Sequence, residues 1–278
     1  SCIICRMNDF LQYWEHIPSA HRVLILLGGM IIFWLIEGYY PLFRFPFKRY
    51  RHAGVNLVFL ACTVLLNIIF GYTTIKVCSW VTAHQFGLLY VFAMPVWVKI
   101  IVTLFFLDFF GQYAPHYLMH KIKWMWKFHM VHHSDTKVDV TTGTRHHPGE
   151  WLFRESFTVI GVLVMGVPVG YYFLYRSVAG FFTHFTHANI RVPLWLDKPF
   201  SRIFISPNMH KVHHHFERPF TDTNFANIFS LWDRIFGTFA YEDPRNLTYG
   251  LDVLEGSNDE DIGYQFRIPF DKTIKTDY

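Results

Sequence analysis

Residues 116–133 read H-Y-L-M-H-K-I-K-W-M-W-K-F-H-M-V-H-H. Five histidines lie in this stretch: His116 and His120 four apart, then His129, His132 and His133 as H-x-x-H-H. On a helix, positions i, i+3 and i+4 share a face, so each group can aim its rings at one point. The second pattern returns far downstream as His210, His213 and His214. Neutral imidazole is the commonest protein metal ligand. The plain alternative is a histidine-rich interfacial helix, for which Trp124, Trp126 and Phe128 are suitable neighbours. The repeated H-x-x-H-H argues against it. The boxes together hold eight histidines, more than the three or four ligands that one zinc ion takes, and predict two metal ions. No H-E-x-x-H occurs, so a zinc protease is not supported. Many imidazoles and few carboxylates favour a redox metal over a hydrolytic one.

The surrounding chain is apolar. Of 278 residues, 52% are hydrophobic and 19% aromatic, and only 17% are charged, which predicts extensive contact with lipid. The net charge of +4 is mild, and no basic run interleaved with aromatics points to nucleic acid. Residues 1–6 precede Met7 and include the C-x-x-C of Cys2 and Cys5. They read as a leader or remnant outside the fold. Cys62 and Cys78 lie in or near apolar segments, so no disulfide framework is expected.

Residues 8–21 suit an interfacial helix, the last part of an N-terminal segment spanning 1–22. Membrane spans are expected over 23–40, 55–75 and 88–110, the third ending at Asp108. The first loop carries Arg44, Lys48, Arg49 and Arg51, the second is nearly neutral, and Lys121, Lys123, Lys127 and Lys137 follow the third span. This asymmetry places the histidine region, residues 111–240, on the cytoplasmic face. Residues 156–187 form an apolar block broken by Gly161, Gly166, Pro168 and Gly170. They read as a re-entrant or spanning helical hairpin that returns the chain to the same face. Residues 241–278 read as an acidic, mixed cytoplasmic tail packed on the histidine region. The expected fold is an all-α polytopic membrane bundle with a histidine-rich helical cap.

H-x-x-x-H, H-x-x-H-H and a distant H-x-x-H-H in a polytopic chain resemble the fatty acid hydroxylase superfamily, also called the sterol desaturase family. The resemblance runs from about residue 108 to 238. It includes T-T-G-T-R-H-H-P-G-E at 141–150, H-A-N at 187–189 and L-W-D-R-I-F-G-T-F at 231–239. It implies a di-iron centre held by His116, His120, His129, His132, His133, His187, His210, His213 and His214, with His147 and His184 as further candidates. His146 and His215 are extra to the pattern. Asp108, Glu150, Asn189, Asn208 and Asp233 are candidates for orienting the ligating imidazoles through their second nitrogen. Asp108 also suits a cap on the end of the third span, and Trp232 and Asp233 suit a closing turn.

The activity so implied is O2-dependent hydroxylation or desaturation of a C–H bond in a lipid (fatty acyl, sphingoid, sterol or related) drawn from the bilayer. Zinc is an expected substitute for iron in purified protein. No Rossmann fingerprint, haem motif or iron–sulfur cysteines are present, so an external donor is expected: a ferredoxin, a cytochrome or a reduced pterin. The four lysines around the first boxes suit either an acidic carrier or anionic headgroups. Two rival readings are a histidine-rich membrane zinc-binding protein and a metal-dependent membrane hydrolase. The spans hold few ionisable residues for a transport path, and no histidine box contains a glutamate base.

Overall fold

A computed structural model describes residues 3–45 and 48–276. Among these the protein is helical, with only isolated β-bridges and no strand. Helix α1, Ile3–Glu15, runs through Met7, so residues 3–6 join the fold. Cys2 lies outside the described residues. Helix α2 is Ser19–Tyr39, α3 is Arg49–Ala83, and a short α4, Leu88–Val91, follows. Pro95 then fixes the start of α5, Val96–Asp108, later than residue 88, because proline sets an extended entry and donates no N–H.

The third span does not end at Asp108. One π-helical turn, Phe109–Tyr113, carries it into α6, Ala114–Lys121. Pro115 explains the wide turn: its nitrogen cannot donate to Gly111, and widening relieves its ring from the preceding turn. The result is one helix that rises from the apolar zone and delivers His116 and His120 at its end. Ile122 leaves helical geometry and turns the chain into α7, Lys123–His133.

Three helical stretches are long and apolar enough to cross a membrane: Ser19–Tyr39, Arg49–Val91 and Val96–Lys121. Their apolar side chains face outward. Leu35, Leu65, Ile68, Ile69 and Ile101 are all more than half exposed. Contiguous apolar surface of this kind is expected where lipid, not water, is the solvent. At about 1.5 Å per residue the 35 residues of α3 extend about 52 Å, beyond a hydrocarbon core of roughly 30 Å. The excess lies at its start, where His52 and Asn56 are buried beneath the cap.

The hairpin is α8, Pro148–Met165, and α9, Val169–His187. Gly166 closes α8 in the left-handed region at φ 73°, and Pro168 precedes α9. Its turn reaches the loop at the far end of α3: a Cβ on Gly87 would lie 2.3 Å from the Gly166 nitrogen. The hairpin therefore runs the full depth of the bundle rather than re-entering part-way. Near the turn, Gly170 lets α9 approach the Leu11 carbonyl of α1 closely.

Residues 188–276 complete the cap, with α10 Leu194–Phe200, α11 Pro207–His213 and α12 Leu231–Ile235. The last forty residues are part of its core. Ile268 and Leu251 bury against Trp126, Met130 and Val131 of α7. Arg145, fully buried, donates to the carbonyls of Val131 and Asp259 and to Ser134 and Asn56.

Candidate metal centre

Nine buried histidines meet where α6, α7, α9 and α11 converge, and they form two groups. His116, His120, His129, His133 and His213 make the first; His132, His187, His210 and His214 make the second. Within each group the nearest ring nitrogens lie within 4.8 Å of one another. The groups adjoin: the His133 and His214 rings stack at 4.9 Å between centroids, and those of His129 and His132 at 5.3 Å.

Neither H-x-x-H-H aims all its rings at one point. The i, i+4 pair His129 and His133 faces the first group and His132 the second. In α11 the pair His210 and His214 faces the second group and His213 the first. An i+3 ring lies on the other side of the helical stripe from i+4, so one box serves two sites.

Fixed acceptors set the tautomers. His116 Nδ1 donates to the Phe225 carbonyl at 2.7 Å, His213 Nδ1 to the Thr223 carbonyl at 2.6 Å and His187 Nδ1 to the Thr183 carbonyl at 2.7 Å. His129 Nδ1 donates to Glu150 Oε1 at 2.9 Å. A carbonyl or carboxylate only accepts, so each of these Nδ1 atoms carries the hydrogen, leaving Nε2 a bare lone pair in a neutral ring. Burial keeps the rings neutral: it pushes His129 down to about 4 against the opposing charge of Glu150. Burial, then neighbouring imidazoles, hold His132, His133, His210 and His214 well below the ordinary histidine range.

Bare lone pairs then face one another. His116 Nε2 and His129 Nε2 are 2.9 Å apart, and neither can donate. His187 Nε2, bare for the same reason, lies 3.0 Å from His210 Nε2 and 3.2 Å from His132 Nε2, and a single lone pair cannot accept well from both. His213 Nε2 and both nitrogens of His214 are buried without a partner. Unpaired acceptors packed this closely are costly unless a cation sits among them. Two imidazole nitrogens bound about 2.1 Å from one ion stand about 3.0 Å apart at a right angle and about 3.4 Å at the tetrahedral angle. The donor set thus fits a metal ion in each group.

Glu150 is fully buried and receives His129, His146 and Arg154 on one oxygen, all at 2.9 Å. His146, extra to the sequence pattern, stacks on His132 at 4.7 Å. Its position four residues before Glu150 in the chain was the available signal. His147 and His184 stand outside both groups. His147 caps α8 by accepting from the Gly149 N–H and packs on Phe128 and Phe266. His184 faces α2, with a ring carbon 3.8 Å from where a Cβ on Gly29 would lie. His215 accepts from the Thr248 N–H at the cap surface.

Asp108 accepts from the Ile228 and Phe229 N–H groups, and Asp233 from those of Phe225 and Ala226 and from the Thr238 hydroxyl. Both carboxylates hold the loop whose Phe225 carbonyl orients His116. Burial pushes Asp233 up to about 7. Trp232 stacks on Phe105 at 4.1 Å and donates to its carbonyl, pinning the closing turn to α5. Asn189 does not touch the histidines: its amide pairs with both backbone groups of Phe43. Asn208 donates to the Val192 carbonyl. A residue that sequence reasoning passed over is Glu37, the one acid in the apolar part of the first span. It pairs with Arg49 at 2.6 Å and accepts from the Val140 and Asn189 N–H groups, tying α2 and α3 to the cap.

A fatty acid hydroxylase family model matches residues 100–238, half of the chain and the part that carries all nine clustered histidines. The chain belongs to the fatty acid hydroxylase family. Among curated relatives, an ornithine lipid hydroxylase of Rhizobium tropici is 30% identical over 49% of this chain and 40% of its own length. The human alkylglycerol monooxygenase is 32% identical over 51% of this chain and 31% of its own. A methylsterol monooxygenase of Arabidopsis thaliana is 26% identical over 85% of this chain and 89% of its own. The chain thus spans well under half of the first two relatives. No solved structure matches. This fatty acid hydroxylase family member is an integral membrane protein with a histidine centre able to bind metal at one end of its bundle.

Proposed function

We propose that the chain is a di-iron oxygenase that uses O2 to hydroxylate or desaturate a C–H bond of a membrane lipid, working on the cytoplasmic face. One observation carries this reading: two adjoining groups of five and four buried histidines, whose Nε2 atoms converge at 2.9–3.2 Å. Five imidazoles in one group exceed the ligands of a tetrahedral zinc site. Two iron ions so held would supply the redox chemistry that O2 needs to attack an unactivated C–H bond. The protein keeps the rings neutral by burial, fixes their tautomers through Phe225, Thr223, Thr183 and Glu150, and shields the centre from water beneath residues 188–276. The first relatives' names, a lipid hydroxylase and two monooxygenases among them, support a lipid substrate.

The cytoplasmic placement rests on Arg44, Lys48, Arg49 and Arg51 beside the cap and the neutral loop at the far end. Electrons come from a separate carrier: a ferredoxin, a cytochrome or a reduced pterin. Of the four lysines considered for docking it, Lys121 pairs with Asp222, Lys137 with Asp259, and Lys127 donates to the Asp271 carbonyl. Lys123 alone of the four has no partner among the described residues.

The test is incubation of the iron-loaded protein with bilayer lipid, a reductant with electron carrier, and 18O2. The reading predicts lipid that gains one 18O atom or loses two hydrogens, dependent on O2. Iron-loaded, reduced protein that leaves every lipid unchanged contradicts it.

A further inference from the structure

Beside the second histidine group, a crevice of about 120 Å³ opens between the end of α2 and the cap. Leu42, Arg191–Leu194, Asn208 and Asp243–Arg245 line it. Its walls are fixed: the Leu42 N–H donates to the Asn189 carbonyl at 2.9 Å, and the Arg191 N–H to the Tyr40 carbonyl at 3.0 Å. One of its polar groups is buried and unsatisfied, and another is an exposed cation with no protein partner among the described residues. Asn208 is 1% exposed and its Oδ1 has no partner. Among the described residues the Arg191 side chain has no hydrogen bond or ion pair. Arg245 is by contrast neutralised by Asp243. The crevice therefore offers one free cation and one buried acceptor.

We propose that this crevice binds a lipid headgroup that carries an anionic phosphate and a nearby N–H donor, as in an ethanolamine phospholipid. The phosphate meets the Arg191 guanidinium, whose fork suits its oxygens. The ammonium supplies the hydrogen that Asn208 Oδ1 lacks. Position favours a lipid source. Leu42 lies three residues past the end of the span that closes at Tyr39, and the neighbouring α10 exposes Trp195 (76%) and Leu196 (51%) at that level. Tryptophan and leucine so placed enter the headgroup boundary. Both walls run directly into the metal centre. Asn208 is two residues from His210 on α11, and Arg191 is four past His187. A headgroup held here is anchored beside the second histidine group, so the site serves the lipid chemistry proposed above, on which its role in substrate selection rests.

The test uses the metal-loaded protein in neutral detergent, with native mass spectrometry reading bound lipid. Short-chain phosphatidylethanolamine, phosphatidylcholine, diacylglycerol and free phosphoethanolamine are compared. The ethanolamine lipid is expected to bind about tenfold more tightly than diacylglycerol, the worth of one charge-assisted pair. It is also expected to exceed phosphatidylcholine, which has the phosphate but no N–H. Arg191→Gln should reduce ethanolamine-lipid binding to the diacylglycerol level, and Arg191→Lys should restore part of it. Arg191 supports no other group, so these variants fold. Equal binding of the three lipids, or an unchanged Arg191→Gln, overturns the proposal. Free phosphoethanolamine binding as tightly as the lipid overturns the lipid source. Headgroup-selective binding by a protein that oxidises no lipid leaves this site standing and removes only the proposed activity.

Discussion

The Nε2 atoms of His116 and His129 stand 2.9 Å apart and neither carries a hydrogen, because each ring has committed its proton through Nδ1, one to the Phe225 carbonyl and the other to Glu150. Helices α6 and α7 are thus locked in a geometry that makes sense around a cation. Glu150→Gln preserves the shape and removes the charge that holds His129 in place. Metal affinity is expected to fall about 10- to 100-fold, the usual cost of losing such a partner. Competition with a chromophoric chelator measures it, and an unchanged affinity counts against this role for Glu150.

His147 and His184 lie outside both groups, one capping α8 and the other facing α2. Alanine at either position is expected to leave the metal content of the purified protein unchanged. Loss of an ion from either variant would place that ring in the centre.

Acid should weaken the metal-free protein. The His129 ring ordinarily titrates near 6.5 and in the folded chain only near 4, burial being the cause. The unfolded chain therefore binds the proton first. Its contribution to stability is complete above about pH 6.5 and is lost as the pH falls toward 4. The melting temperature of chelator-treated protein should drop between pH 7.5 and pH 5. A flat profile over that interval would mean that the rings are not buried neutral.

The full-depth hairpin has its own test. Gly87 has φ 107°, and a Cβ there meets the backbone of Gly166. Gly87→Ala is expected to destabilise the protein by about 1–3 kcal/mol or more from backbone strain alone. Single cysteines at Gln85 and at Arg245 should react with impermeant reagents from opposite sides of a sealed vesicle. Labelling of both from one side contradicts the topology.

Much of this was legible in the sequence. Thirteen of seventeen histidines fall between His116 and His215; the spacing of the boxes picked out eight of the nine that cluster, and the family resemblance added His187. The apolar runs located the spans, and Gly166 with Pro168 marked the hairpin turn. Three things were not legible. The sharing of each H-x-x-H-H between two groups depends on how α7 and α11 are rotated against each other, which no local spacing records. The continuation of the third span past Asp108 depends on a π-helical turn around Pro115, where a proline ordinarily signals an end. The roles of Asp108, Asp233 and Glu37 are backbone contacts across 7 to 152 residues of chain, so their neighbours in sequence say nothing of them.

Metal content per chain tests the central claim most directly. Protein expressed with ample iron and purified without added metal is expected to hold two iron ions per chain. His132→Ala, in the second group, and His213→Ala, in the first, should each hold one. A single ion in the parent protein, zinc alone after iron-replete expression, or two irons retained in both variants would contradict the account.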